Sequence, residues 1–166
     1  MSRSKTMSKK LKFTDMVDFR TPSYLWRYIN SIESVDFDAA CEPGINNLAE
    51  PLRLEDEWPS GVVYSNPPFD IESINAWIKK GFEHSRKAEG NVSIILIPNK
   101  LTQVKFQNHS HDKFDSIIFL GGRVDFDSIY SVKGGSSRMG SVILIQKMGE
   151  NGIHFKTLKE IKRDFK

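Results

Sequence analysis

The stretch GVVYSNPPF, from Gly61 to Phe69, decides how the rest of the chain is interpreted. Its β-branched and aromatic beginning predicts a short buried strand. The strand must end at the two consecutive prolines, since neither has the N–H group that a sheet ladder needs. Asn66 and Phe69 are therefore expected at the C-terminal end of a strand, where open α/β sheets bind their ligands.

The groups at this strand end suit recognition of an exocyclic amine. The Asn66 amide oxygen can accept one hydrogen bond from an –NH2 group, and the carbonyl oxygen of Pro67 can accept a second. Phe69 offers a flat face on which a base can stack. Such a pocket suits an adenine or cytosine taken out of its helical stack. A rigid turn after a strand is the alternative interpretation of the same residues.

The segment Asn66-Pro67-Pro68-Phe69 resembles the (Asp/Asn)-Pro-Pro-(Tyr/Phe) signature of S-adenosylmethionine-dependent amino-methyltransferases. Over residues 18–147 the order of motifs is similar to that of the phage-type DNA N6-adenine methyltransferase family. The resemblance implies Asn66 to Phe69 as the catalytic segment, S-adenosyl-L-methionine as cofactor, and duplex DNA with a flipped adenine as substrate. It also implies a bacteriophage or restriction-modification origin.

Other interpretations of the signature stay open. Asn-Pro-Pro-(Tyr/Phe) also serves enzymes that methylate an RNA adenine, the N4 amine of cytosine or a protein glutamine. A non-catalytic module that binds nucleic acid on the same fold is an alternative from another class. A cytosine carbon-5 methyltransferase is not expected, because it needs a Pro-Cys nucleophile and the only cysteine is Cys41.

Two further segments resemble cofactor-binding elements of the same family. Phe19-Arg20-Thr21-Pro22 is similar to its aromatic-X-Thr-Pro element, although Thr21 as a helix N-cap before Pro22 would explain the dipeptide on structural grounds alone. The segment from Asp38 to Gly44 is similar to its cofactor loop, with Glu42 where a glycine is usual; a plain strand-to-turn junction is the alternative. The resemblance implies cofactor contacts from Phe19, Thr21, Pro22, Asp38, Ala39, Ala40 and Gly44.

An acid just before the Asn-Pro-Pro strand binds the cofactor's adenine or ribose in related enzymes. The acids available here are Glu55, Asp56 and Glu57, and we select Asp56. A solvated acidic turn is the alternative for the other two.

Candidate nucleic-acid contacts lie between the last two predicted strands. The segment from Gly122 to Phe126 is similar to a Gly-Arg-X-X-Phe element that lies near the target base in phage methyltransferases. Arg123 can contact a phosphate or a base edge, or pair with a neighbouring acid. Lys133 and Arg138 belong to a Gly/Ser-rich loop and complete the predicted nucleic-acid-binding set. No metal site is expected, since His109 and His111 have no third ligand nearby in the sequence.

The pattern of apolar residues predicts the fold class. Residues 92–98 form a nearly continuous apolar run, typical of a strand covered on both faces of a parallel sheet. Helices are predicted over 22–33 and after an Asp70 cap, and residues 141–145 should form a final, antiparallel strand. We therefore expect an α/β fold: a Rossmann-like, mostly parallel sheet with an antiparallel last strand and helices on both faces, shortened in the 45–60 region. The resemblance narrows this to the class I methyltransferase fold.

Composition and charge bound the organisation of the chain. The 166 residues, 39% of them hydrophobic, fit one domain, which we place at residues 13–150. Residues 1–12 are predicted to be a basic, disordered tail, and residues 151–166 a basic C-terminal extension; both suit phosphate contact. No apolar run is long enough for a membrane span, so we expect a cytoplasmic protein, in the host cytoplasm if viral, as a monomer or homodimer.

Overall fold

The structure is a computed structural model that describes residues 19–40, 50–128 and 139–166. Four helices and nine strands form within these ranges. The helices are α1 (Ser23–Ile32), α2 (Ile71–Lys87), α3 (Val104–Ser110) and α4 (Leu158–Asp164). The strands are β1 (Phe19–Arg20), β2 (Phe37–Ala39), β3 (Glu50–Leu52), β4 (Val62–Ser65), β5 (Val92–Pro98), β6 (Ser116–Gly121), β7 (Asp127–Ser128), β8 (Ser141–Gln146) and β9 (Gly152–Thr157).

Seven strands form one sheet in the order β3-β2-β4-β5-β8-β6-β9. Strand β8 runs antiparallel to both of its neighbours, and all other pairs in this sheet are parallel. Strands β1 and β7 form a separate antiparallel pair. The mixed, mostly parallel α/β architecture predicted from the sequence is confirmed at this level, and it is compatible with a Rossmann-like fold.

Helices cover both faces of the sheet, as predicted. On one face, Ile94 and Leu96 of β5 share an apolar cluster with residues of α1 and α4. On the other face, Ile95 and Ile97 of the same strand share a cluster with residues of α2 and α3. Full burial of each such side chain is worth about 1.5–3 kcal/mol. Because successive side chains of β5 point to opposite faces of the sheet, this one strand stabilises the packing of the helices on both faces.

The starts of the two long helices differ from each other. Asp70 caps α2 as predicted, since its Oδ1 accepts a hydrogen bond from the Ser73 N–H at 2.8 Å. The prediction that Thr21 caps α1 is wrong: Pro22 occupies the cap position, and no side chain caps the helix. The Thr21 hydroxyl instead forms a 2.6 Å hydrogen bond with the hydroxyl of Tyr64 in β4.

The C-terminal part of the chain departs from the predicted strand order. Strand β8 is antiparallel as expected, but it is not the last strand, because β9 and α4 follow it. The segment predicted as a basic extension thus adds an edge strand parallel to β6 and a helix on the α1 face. A capping box between Thr157 and Glu160 begins α4.

The short connection before β4 agrees with the predicted shortening. Residues 53–61 lead from β3 to β4 without a helix. In the parts of the chain that the structure describes, no helix is both long enough and apolar enough to cross a membrane.

Candidate active site

The carboxyl ends of β2, β4, β5 and β6 lie at one edge of the sheet, which we call the carboxyl edge. Strands β2 and β4 are direct neighbours, with Asp38 opposite Tyr64 and Ala39 opposite Ser65. Asn66 follows Ser65 directly. The structure therefore brings together the two segments predicted to hold the cofactor and the target amine, on adjacent strands of the same edge.

The Asn66-to-Phe69 segment is held between the end of β4 and the start of α2. Asn66 is half-buried and Pro67 is buried, whereas Pro68 and Phe69 are half-buried. Lys100, which follows β5, donates a hydrogen bond from its Nζ to the carbonyl oxygen of Phe69. A side chain that follows the adjacent strand thus helps to hold the segment, and such support contributes to the preorganisation that a binding site requires.

The Gly-Arg-X-X-Phe element contacts the same segment. The rings of Phe69 and Phe126 pack at a centroid distance of 5.5 Å and an angle of 57°. Arg123, three residues before Phe126, is exposed. The predicted base-stacking residue and the predicted nucleic-acid-binding element therefore meet at the carboxyl edge, although they are far apart in the sequence.

Tyr64 connects the Thr21-Pro22 element to the strand that carries Asn66. The Tyr64 hydroxyl forms the hydrogen bond to Thr21. The Tyr64 ring also packs against the Trp26 ring in a T-shaped arrangement, at a centroid distance of 5.3 Å. Burial, and then the nearby Asp38 carboxyl, raise the pKa of Tyr64 well above its usual value, so the phenol stays neutral. Tyr64 was not among the site residues predicted from the sequence. Its position in the strand that leads directly to the predicted Asn66 was the available signal.

Asp38 is the most perturbed acid of the site. Its side chain is 2% exposed, and burial raises its pKa from 3.8 to about 7. Two residues later Ala40 has a φ of +65°, a left-handed conformation that costs an alanine about 1–3 kcal/mol. A desolvated carboxyl beside strained backbone is typical of a ligand-binding site rather than of a stabilising feature.

The remaining predicted cofactor residues are placed as follows. Pro22 and Ala39 are buried, and Phe19 is described only through its backbone in β1. Asp56 lies in the turn after β3, where its Oδ2 accepts the Arg53 N–H at 2.7 Å and its carbonyl oxygen accepts the Lys80 Nζ at 2.7 Å. Its carboxylate thus accepts a hydrogen bond within the local turn. Gly44, Lys133 and Arg138 lie outside the described residues.

Metal-binding side chains do not cluster in the described ranges: no group of three or more His, Cys, Asp or Glu residues could hold a metal ion there. His109 is exposed, and the His111 Nδ1 hydrogen-bonds with the carbonyl oxygen of Gln107.

Comparisons with known proteins add no relative. No protein-family model matches this sequence, and no curated protein matches it.

Proposed function

We propose that this protein is an S-adenosyl-L-methionine-dependent methyltransferase that acts on the N6 amine of adenine in DNA. The observation that carries the proposal is the adjacency of the Asp38 and Asn66 strand ends at the carboxyl edge. The strand order supports it, because an antiparallel late strand in a mostly parallel sheet is characteristic of the class I methyltransferase fold, and β8 is such a strand. A cytoplasmic location and a monomeric or homodimeric state belong to the same proposal.

The side chains near the end of β2 fit a cationic cofactor. An ionised carboxylate is costly in a buried position, and a nearby positive charge offsets that cost. Asp38 would supply this carboxylate, and Thr21, Pro22, Ala39 and Ala40 would line the cofactor beside it. The Ser65 hydroxyl is buried here and has no hydrogen-bond partner among the described residues, so it is available to a ligand.

S-adenosyl-L-methionine supplies an electrophilic methyl group on a sulfonium. The residues of this chain hold the acceptor: the Asn66 and Pro67 oxygens accept the two protons of the adenine amine, and Phe69 stacks on the base. These hydrogen bonds favour a tetrahedral nitrogen and direct its lone pair at the methyl group. Holding two reactants in this way can supply roughly 7–11 kcal/mol of the barrier.

The direct test is methyl transfer from tritiated S-adenosyl-L-methionine to duplex DNA or RNA, followed by digestion and identification of the labelled nucleoside. We expect label in N6-methyldeoxyadenosine. The variant Asn66→Ala should lose at least about tenfold to a hundredfold of the activity, since deleting an acceptor that faces a buried amine costs on the order of 1–3 kcal/mol.

Asn66→Asp is the matched control, because the signature admits either residue and an acceptor oxygen is kept. It should retain much more activity than Asn66→Ala, with both variants folded by circular dichroism. Undiminished label in Asn66→Ala would remove Asn66 from the mechanism. Label in RNA adenine or in the N4 amine of cytosine would identify a different substrate. If neither nucleic acid is labelled, a protein acceptor with exposed glutamines and calorimetric titration with the cofactor complete the test, and absence of both label and binding would favour the non-catalytic module.

A further inference from the structure

The C-terminal helix carries its charges on separate sides. Lys159 and Lys162 are three residues apart, which places them on one side of α4, and both are exposed, as is Lys166 beyond the end of the helix. The helix acids lie on the other side and are already engaged. Glu160 closes the capping box with Thr157, and Asp164 pairs with Arg163 at 2.7 Å. The lysine side of α4 is therefore left without a neutralising acid of this helix.

The lysine side faces α1, which adds a further cation. The Lys162 Nζ lies 5.1 Å from the centroid of the Tyr24 ring, a cation–π contact that restrains the side chain. Arg27 is exposed on α1 and donates a hydrogen bond from its guanidinium to the carbonyl oxygen of Lys166. The contacts between the two helices thus align their cations along one exposed surface.

This surface reaches the carboxyl edge. Strand β9 is parallel to β6, with Thr157 opposite Gly121, so α4 begins at the same edge as the Asn66-to-Phe69 segment. A Cβ atom on Gly122 would lie 3.4 Å from the Leu158 side chain, so the chain just after β6 packs against the start of α4. The residues that follow each of these, Arg123 and Lys159, are both exposed. We call the surface formed by Arg123, Lys159, Lys162 and Arg27 the cationic strip.

We propose that the cationic strip binds the phosphate backbone of the nucleic acid whose base enters the carboxyl edge. The inference rests on the proposed function for the identity of that base, and it names a folded surface of the chain as the contact. Lysine and arginine contacts to phosphates position a duplex without reading its sequence, and they make affinity depend on salt. Such a surface would hold the duplex while a base is extruded toward Asn66.

The test is duplex binding by the full-length chain, measured by fluorescence anisotropy with a labelled oligonucleotide over a range of salt concentrations. The variant pair Lys159→Gln and Lys162→Gln, made together, should weaken binding about fivefold to tenfold. It should also reduce the slope of log affinity against log salt by about 1.8, at about 0.9 per lost phosphate contact.

The matched control removes the same charge elsewhere. Lys79 and Lys87 are exposed on α2, which covers the opposite face of the sheet. The double variant Lys79→Gln and Lys87→Gln should keep the wild-type slope. An equal loss in both double variants, or a wild-type slope in the strip variant, would overturn the inference, as would a wild-type chain that does not bind duplex.

The two proposals fail separately. If the strip variant reduces the slope of log affinity against log salt but the wild-type chain transfers no methyl group, the proposed function is refuted and the phosphate-binding surface stands. Methyl transfer with an unchanged KM for DNA in the strip variant would leave the proposed function standing and refute the strip.

Discussion

We call the edge opposite the carboxyl edge the amino edge. There, the side chains of Asn91 and His84 form hydrogen bonds to the backbone, whereas the buried Asp38 at the carboxyl edge adds to the cost of folding. Asn91 accepts the Gly61 N–H and donates to the His84 carbonyl oxygen, each at 3.1 Å. His84 donates from its Nε2 to the Gly61 carbonyl oxygen at 2.9 Å, and burial lowers the pKa of its ring. By contrast, Asp38 at the carboxyl edge is buried with a raised pKa.

The difference indicates what each edge is for. Buried polar groups that pair with backbone groups remove the penalty of leaving those groups unsatisfied, so the amino edge stabilises the fold. A desolvated carboxyl next to a left-handed alanine lowers stability, and such costs are expected where function rather than stability determines the residue. Substitutions at the carboxyl edge should therefore be able to raise stability at the expense of function, and substitutions at the amino edge should only lower it.

Asp38→Asn should give the largest effect and the clearest contrast. The folded-state pKa of Asp38, about 7, lies above the unfolded value of 3.8. The folded state therefore binds more protons in that range, and the free energy of unfolding falls as pH rises from about 4 to about 7. At pH 8 the neutral amide should be more stable than wild type by on the order of 4 kcal/mol, whereas near pH 4 the two should be similar.

Urea unfolding at pH 5 and pH 8 measures this difference, and calorimetric titration with S-adenosyl-L-methionine measures its functional side. If the carboxyl edge binds the cofactor, Asp38→Asn should stabilise the fold and weaken binding together. Glu89→Gln is the control, since Glu89 is an exposed acid in the turn between α2 and β5. A loss of stability in Asp38→Asn at pH 8 would contradict the assignment of Asp38 as a desolvated, costly group.

Gly81→Ala tests the amino edge and should be the next largest effect. In an ordinary helix interior this change stabilises by about 1 kcal/mol. Here the new Cβ would lie 2.2 Å from the Ser93 Oγ and 2.3 Å from the Gln146 Oε1. Because both side chains are buried and held by the sheet, we expect a loss of about 3 kcal/mol in the free energy of unfolding.

Gly140→Ala gives the comparison, since no atom of the described residues lies within 4 Å of a Cβ atom at that position. Urea unfolding should leave Gly140→Ala within about 0.5 kcal/mol of wild type. Equal stability of the two variants would show that α2 can move away from the sheet, and that close packing at Gly81 is not required.

Local patterns were enough to predict the strands and caps that depend on neighbouring residues. The apolar run of β5, the strand end at Pro67 and the Asp70 cap are each set by a few adjacent residues. Thr21 shows the limit of this reasoning. Its intrinsic preference favours a helix cap, but its hydroxyl bonds to Tyr64, 43 residues away, and no local pattern reports such a partner.

The C-terminal segment was underestimated for a different reason. Its basic composition suggested an extension, and β9 is exposed along most of its length, with Ile153 68% and Phe155 75% exposed. The segment therefore lacks the alternation of buried apolar and exposed polar residues that indicates a strand. The Thr157-to-Glu160 spacing was a usable signal, because Thr-X-X-Glu is the sequence of a capping box. For the site, strand order could be inferred, but the meeting of Phe69 with Phe126 depends on tertiary packing.

Tyr64→Phe should give the smallest effect, and it tests whether the carboxyl edge has any stabilising polar contact. Deleting the hydroxyl removes the 2.6 Å hydrogen bond to Thr21 and should cost about 1 kcal/mol of unfolding free energy. Tyr28→Phe is the control: Tyr28 is buried in the same cluster, and its hydroxyl makes no hydrogen bond within the described residues. It should stay within about 0.5 kcal/mol of wild type.

A double-mutant cycle of Tyr64→Phe with Thr21→Val isolates the contact itself, because it subtracts the separate effects of each substitution. We expect a coupling of about 1 kcal/mol in urea unfolding. If the Thr21-Pro22 element also holds the cofactor, the two single variants should weaken S-adenosyl-L-methionine binding to a similar extent, since either one releases that element from β4. A coupling near zero would mean that the hydroxyl pair does not fix the Thr21-Pro22 element against β4.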